Sequence, residues 1–374
     1  MSIVLLLFFA LILSSVRKPL KFNRDYLSVE QTHTINGIFI IFVFLRHFWQ
    51  YVDKINSIDT VFDSVNSFLG QTIVTTFMFY SGYGVTVSIW KKREPYLRRF
   101  PVDRILKTMI LFDIAILFYC ILAIFTDEEI TVGKVLLSFI GLKSIGNSSW
   151  YIFAILCMYL VSYISFSVFI RFEGRKGLFL SLSAATLLTL VYMLTARKYL
   201  SGQYYNTVLC YVLGMWWFGF REKADKLLEK DVFRLAAVLI TGGLYFAAHF
   251  GSHINIMIDQ MQYVFFVVWI VLLTASFRTE SRVFKLLGEN LLGVYILQRL
   301  PMIYFSEISA VHDNTYIYFI LCLIITLALS YIYSVLVMKN VGRLFLIGKK
   351  EKKDEYSCNI RRRKRYENER KGQT

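Results

Sequence analysis

His47 follows Arg46 at the end of an otherwise apolar stretch, Asn36-Gly-Ile-Phe-Ile-Ile-Phe-Val-Phe-Leu-Arg46-His47. Imidazole titrates near neutral pH, so a histidine within an apolar helix suits proton transfer, and an ionisable group there is costly enough to ask for a function. The alternative is a satisfied polar contact between helices. Asn36 and His47 are eleven residues apart. At about 3.6 residues per turn that is close to three turns, which puts both on one face about 16 Å apart, with Arg46 turned about 100° away. A second stretch, Phe77-Met-Phe-Tyr-Ser81-Gly82-Tyr83-Gly84, sets a hydroxyl beside two glycines. Glycines let another group approach the backbone closely, which serves either chemistry or helix packing. Ser81 lies about 13 Å above the helix end at Trp90, a depth similar to that of His47. Past Trp90, segment 91–107 holds Lys91, Lys92, Arg93, Arg98, Arg99, Arg104 and Lys107 against Glu94 and Asp103. Such a density of cations makes an anion-binding mouth suited to phosphates, or else reports the bias of membrane proteins toward basic inner loops.

The elements that must position these groups are membrane helices. Hydrophobic residues make up 56% of the 374, only 18% are charged, and mean hydropathy is +0.52. A bilayer can cover that much apolar surface and a soluble fold cannot. Apolar runs predict helices near 2–16, 34–51, 65–90, 105–125, 148–170, 177–195, 204–220, 232–250, 257–277, 286–305 and 315–338. The expected fold is an all-α polytopic membrane protein of about ten core helices plus one N-terminal helix. The first run is short for a span, and Arg17 and Lys18 follow it, which argues against a signal peptide. Lys and Arg number 35 in connections 17–30, 91–107, 171–176, 221–234, 278–285 and the tail, and 5 in the connections between them. The alternation predicts cytoplasmic basic connections and a cytoplasmic C-terminus. The organisation is then an N-terminal helix (1–16), a transmembrane domain (17–338) and a basic tail (339–374).

Half of the net charge of +16 lies in that tail, including Arg361-Arg362-Arg363-Lys364-Arg365. Such a run is attracted to anionic lipid; no aromatic platform or nucleic-acid motif accompanies it, so nucleic acid is not an expected partner. Cys120, Cys157, Cys210, Cys322 and Cys358 are odd in number and include no Cys-x-x-Cys, so neither a disulfide framework nor a zinc site is expected. Arg299 and Asp113 are further intramembrane charges, and Trp150 opens a helix at an outer boundary, where aromatic anchors sit.

In their order and spacing these pieces resemble the acyltransferase-3 family of bacterial membrane acyltransferases. Tyr26-Leu-Ser-Val-Glu-Gln-Thr and Ile35 to His47 look like its first core helix, in which a basic residue precedes the essential histidine by eleven positions. Phe77 to Gly84 resembles its Phe-rich Ser-Gly motif, and Arg98, Arg99 and Arg104 fall in the basic stretch that follows. Ser149-Trp150-Tyr-Ile-Phe-Ala and Leu287 to Gln298 look like its later helices. The resemblance implies transfer of an acyl group, most often acetyl, from cytoplasmic acyl-CoA to a hydroxyl of a cell-surface glycan. It implies a site in the bacterial plasma membrane, with acetyl-CoA as donor substrate and no bound cofactor. On that resemblance His47 is the general base, Ser81 and the backbone near Gly82 orient the thioester, and Arg93, Arg98, Arg99 and Arg104 hold the CoA phosphates. Asn36, Arg46 and Trp150 complete the candidate substrate-binding set. One position departs: Asn36 is uncharged where the family has Arg or Lys, which shifts the expected donor binding to segment 91–107. A second reading is a polysaccharide or lipid-linked-sugar translocator whose path is lined by Arg46, Asp113 and Arg299; consumption of acyl-CoA separates the two. A small-ion transporter built from inverted repeats would need paired broken helices, which the sequence does not show clearly.

Overall fold

In this computed structural model, which describes residues 1–17, 20–52, 59–126, 130–172 and 174–345, helix follows helix along the chain. The first half holds α1 (Ser2–Ser15), α2 (Val29–Trp49), α3 (Thr60–Leu69), α4 (Thr75–Phe100), α5 (Lys107–Phe125), α6 (Val132–Phe139), α7 (Trp150–Phe169) and α8 (Gly174–Tyr199). The second holds α9 (Val208–Leu228), α10 (Asp231–Phe250), α11 (Ile256–Ser276), α12 (Arg282–Glu289), α13 (Leu291–Leu297), α14 (Arg299–Ser306), α15 (Ser309–His312) and α16 (Thr315–Tyr333). Among the described residues the strands are two short ones, β1 (Val16–Arg17) and β2 (Arg278–Thr279), paired antiparallel. The Arg361–Arg365 run and the rest of the tail beyond 345 lie outside the described residues.

Every apolar run expected to be helical lies on helix. Six helical stretches among the described residues are long and apolar enough to cross a membrane, and α1 and Leu291–Ser306 are shorter apolar helices. Three local departures follow from residue chemistry. The run 65–90 divides at Gly70, whose φ of +48° ends α3 before α4 begins. The run 286–305 breaks into α12, α13 and α14; Pro301 offers no N–H to the carbonyl of Leu297, and the chain turns at Gln298. Segment 91–107, expected as a basic connection, is a helical elbow. Arg93 sits at φ 51°, ψ −141°, just before Pro95, and the π-helical turn Pro101–Leu106 runs straight into α5. Proline lacks the N–H to continue the ladder and disfavours helix just ahead of it, so the chain leaves helix at Arg93, two residues before Pro95, and bends there.

The helices that position His47 and Ser81 are pinned by glycine. A methyl on Gly37 of α2 would fall 1.7 Å from the Phe284 carbonyl oxygen of α12, and one on Gly288 of α12 would fall 1.9 Å from that of His33. The α4/α9 crossing repeats the device: a methyl on Gly82 would fall 2.0 Å from the Tyr211 carbonyl oxygen, and one on Gly214 would fall 2.1 Å from that of Phe79. Backbone meets backbone at both crossings, as small residues permit between membrane helices. α2 itself opens on a cap, the Ser28 hydroxyl accepting from the Gln31 amide at 3.2 Å, with Glu30 in the first turn.

The two sets of connections gather at opposite ends of the bundle. At one end Arg24 pairs with Glu229 (3.1 Å), Arg175 with Glu222 (2.5 Å) and Lys285 with Glu30 (3.1 Å), joining basic connections to one another. At the other end Tyr204 donates to the Leu142 carbonyl at 3.0 Å, and His312 Nε2 meets the Tyr51 carbonyl at 2.8 Å.

Candidate functional site

His47 occupies the last turn of α2, at the end away from the basic connections, and is buried. Its Nε2 lies 3.2 Å from Ser148 Oγ, in the segment that leads into α7. The Gln298 side chain also approaches the imidazole. Tyr295 packs beside it at 6.3 Å between ring centroids. Several enclosed polar atoms of this neighbourhood have no hydrogen-bond partner: Asn147 Nδ2, Tyr295 OH and Arg299 Nε. Leaving such an atom unmade typically costs about 1–3 kcal/mol. Together they form a buried polar cluster, the His47 chamber, whose donors and acceptors match hydroxyls and a carbonyl. Arg299 closes it: the guanidinium donates to the Gly146 carbonyl at 3.2 Å and to Gln50 Oε1, and covers the Tyr51 ring at 5.6 Å.

From the chamber a column of hydroxyls descends through the bundle. Tyr295 packs at a tilt against Tyr151 (5.2 Å between ring centroids), and Tyr151 is in turn in contact with Ser81. Further down, Tyr159 lies 6.3 Å from Tyr211, whose hydroxyl bonds Ser162 Oγ at 2.8 Å. The elbow of α4 meets the column from below, with Phe100 packing on Tyr159 at 6.0 Å. Arg104, whose Nε donates to Tyr96 OH at 3.0 Å, also neighbours Tyr159 and Tyr211. Tyr159 and Tyr151 are two turns apart on α7, about 12 Å, so the elbow brings a cation within a short climb of the chamber.

Outside the elbow lies a groove of about 760 Å³, lined by Lys92, Tyr96, Arg99, Lys107, Lys339 and Arg343, among others, with Asp103 as its acid. Cations converging on one concave surface suit a polyanion. A second groove, about 470 Å³ between α5, α14 and α16, has no charged lining residue.

The profile of the acyltransferase-3 family, described as an acyltransferase domain, matches residues 34–335. The chain belongs to the acyltransferase-3 family. No curated protein and no solved structure matches it. Membership and the apolar helices together make it a multi-pass membrane acyltransferase, nearly all helix.

Set against this acyltransferase frame, the residues singled out in the sequence divide. His47 and Ser81 share the column through Tyr151 and Tyr295. Gly82 serves the α9 crossing. Arg46 turns away from the chamber and donates to the Asn66 carbonyl at 2.8 Å. Asn36 encloses an unpartnered Oδ1 along the same helix. Of the four arginines expected on phosphate, Arg99 lines the groove and Arg104 the column. Arg98 is exposed and pairs with Glu94 at 2.8 Å, and Arg93 lies over the Trp90 ring at 3.8 Å beside α8. Trp150 packs at 6.1 Å against Tyr151. Sequence reading did not select Ser148, Asn147, Tyr151, Lys92, Lys107, Lys339 or Arg343. Tyr151, Tyr295 and Gln298 lay within quoted motifs, and Lys92, Lys107, Lys339 and Arg343 within the counted cations, so part of that signal was present.

Proposed function

We propose that this enzyme moves an acyl group, acetyl first among the candidates, from cytoplasmic acyl-CoA to a hydroxyl of a cell-surface glycan or its precursor at the bacterial plasma membrane. The reading rests on one juxtaposition: an enclosed imidazole heads a hydroxyl-lined column whose other end meets a cationic groove. The gathering of the basic connections at the groove's end supports a cytoplasmic orientation for it. The CoA phosphates rest on Lys92, Arg99, Lys107, Lys339 and Arg343, charges that stand in for the basic residue absent at position 36. The flexible arm of CoA passes Arg104 and carries the thioester up the column. His47 takes the proton of the acceptor hydroxyl as that oxygen bonds to the thioester carbonyl carbon; the carbon–sulfur bond breaks and the thiol takes the proton. Ser81 and Tyr295 offer hydroxyls toward the developing oxyanion.

Inverted membrane vesicles given radiolabelled acetyl-CoA provide the test. Label is expected in membrane glycan with the wild type and not with His47→Ala. Well-expressed wild-type vesicles that neither transfer nor hydrolyse acetyl-CoA or longer acyl-CoAs would sink the reading.

A further inference from the structure

The hydroxyl nearest to the imidazole belongs to the protein. Ser148 Oγ lies 3.2 Å from His47 Nε2, and Ser148 is 8% exposed. The residue before it, Asn147, holds an enclosed side-chain amide Nδ2 with no hydrogen-bond partner. The segment is fixed rather than loose. Asn147 Oδ1 accepts from the Ile145 amide at 3.1 Å, the Asn147 carbonyl accepts from the Ser144 hydroxyl, and Arg299 grips Gly146. Through its bond to Gln50, just past the end of α2, the same guanidinium ties this segment to the helix that carries His47. A hydroxyl, a base on it, a third side chain (Gln298) against the base and a free amide donor on the residue next to the serine are the parts of a nucleophilic acyl-transfer site.

We infer that Ser148 is an acyl carrier: transfer proceeds through a Ser148 ester. The inference rests on the acyltransferase reading and replaces its single step with two. In the first, His47 Nε2 takes the Ser148 proton and Oγ bonds to the thioester carbonyl carbon. The carbon–sulfur bond breaks, and CoA leaves as the thiol with the proton from His47. In the second, His47 takes the proton of the acceptor hydroxyl, whose oxygen attacks the ester carbonyl. The bond to Ser148 Oγ breaks and Oγ recovers the proton. Asn147 Nδ2 faces the oxyanion of both steps. The acceptor then never has to share the chamber with CoA, and donor and acceptor can approach from opposite ends of the column.

The test uses purified full-length protein in lipid nanodiscs with radiolabelled acetyl-CoA and no acceptor, quenched in acid. Peptide mass mapping locates the label, and acetate release reports turnover by water. The wild type is expected to hold one acetyl group on the peptide containing Ser148. Ser148→Ala should hold none and lose turnover by about 100-fold or more, with unchanged melting behaviour. Ser148→Cys should trap a thioester that neutral hydroxylamine cleaves. Ser148→Ala turning over within about tenfold of wild type, or label resident on another residue, overturns the carrier role. So does a wild type that turns over with no adduct at any quench time, a result that leaves the acyltransferase reading standing. A folded wild type that consumes no acyl-CoA overturns both.

Discussion

Around His47 the polar atoms are enclosed, and several have no partner. In the groove beside the elbow the polar groups are wet and partly spoken for: Arg99 pairs with Asp103 at 3.0 Å, and the two side chains are 32% and 38% exposed. An enclosed unpaired atom is a standing cost unless water or an incoming group satisfies it. An exposed cation costs little, and solution ions screen what it attracts. Under the proposed function, the contrast puts the bond-making step at one end of the bundle and donor affinity at the other. Substitutions should therefore separate into those that lower kcat and those that raise KM.

The largest expected effect breaks the buried side. His47→Ala should lower kcat by about 10²- to 10⁴-fold with little change in the KM for acetyl-CoA; a pure KM effect in steady-state kinetics would remove His47 from the chemistry. Next comes Arg299→Ala, which frees both the Gly146 segment and Gln50. We expect kcat to fall by about 10- to 100-fold, the worth of a charged hydrogen-bond network, and Arg299→Lys to recover little because it cannot reach two acceptors with a planar fork. On the groove side, Arg99→Ala/Arg343→Ala should raise the KM for acetyl-CoA about tenfold and leave kcat alone. The KM of the wild type should itself climb as salt is added; insensitivity to salt would argue that the groove holds no phosphate. The smallest effect sharpens the boundary: Arg98, exposed and paired with Glu94, should tolerate alanine within about twofold in both constants.

Much of this arrangement was legible beforehand, for reasons that can be named. Apolar runs found the helices because membrane helices must satisfy their own backbone, so composition speaks plainly there. The angle between neighbouring residues on a helix separated Arg46 from His47, and the Asn66 contact has that geometry. Three things were hidden. Segment 91–107 read as a loop because its charges resemble one, although Pro95 and Pro101 act there as bend and helix-start residues. Lys339 and Arg343 read as tail; that they face Arg99 and Lys107 depends on long-range packing with no local signature. Ser148 stood at the start of the run expected as helix 148–170, and a serine at a helix start is ordinary until a histidine from another element meets it.

The glycine crossing of α2 on α12 has a consequence for how the protein is made. α2 precedes α12 in synthesis, yet its Gln31 side chain exchanges two hydrogen bonds with the Thr279 backbone, 248 residues later, near where Gly37 meets Phe284 and Gly288 meets His33. The helix that carries His47 therefore enters the bilayer without its partner and must wait for roughly two thirds of the chain to be synthesised. Contacts this distant in sequence close late. Until they do, a glycine-lined strip of backbone stays uncovered, and a chain cut short before α12 would carry His47 with no chamber around it. Synthesis itself thus withholds the enclosure of His47 until α12 has arrived.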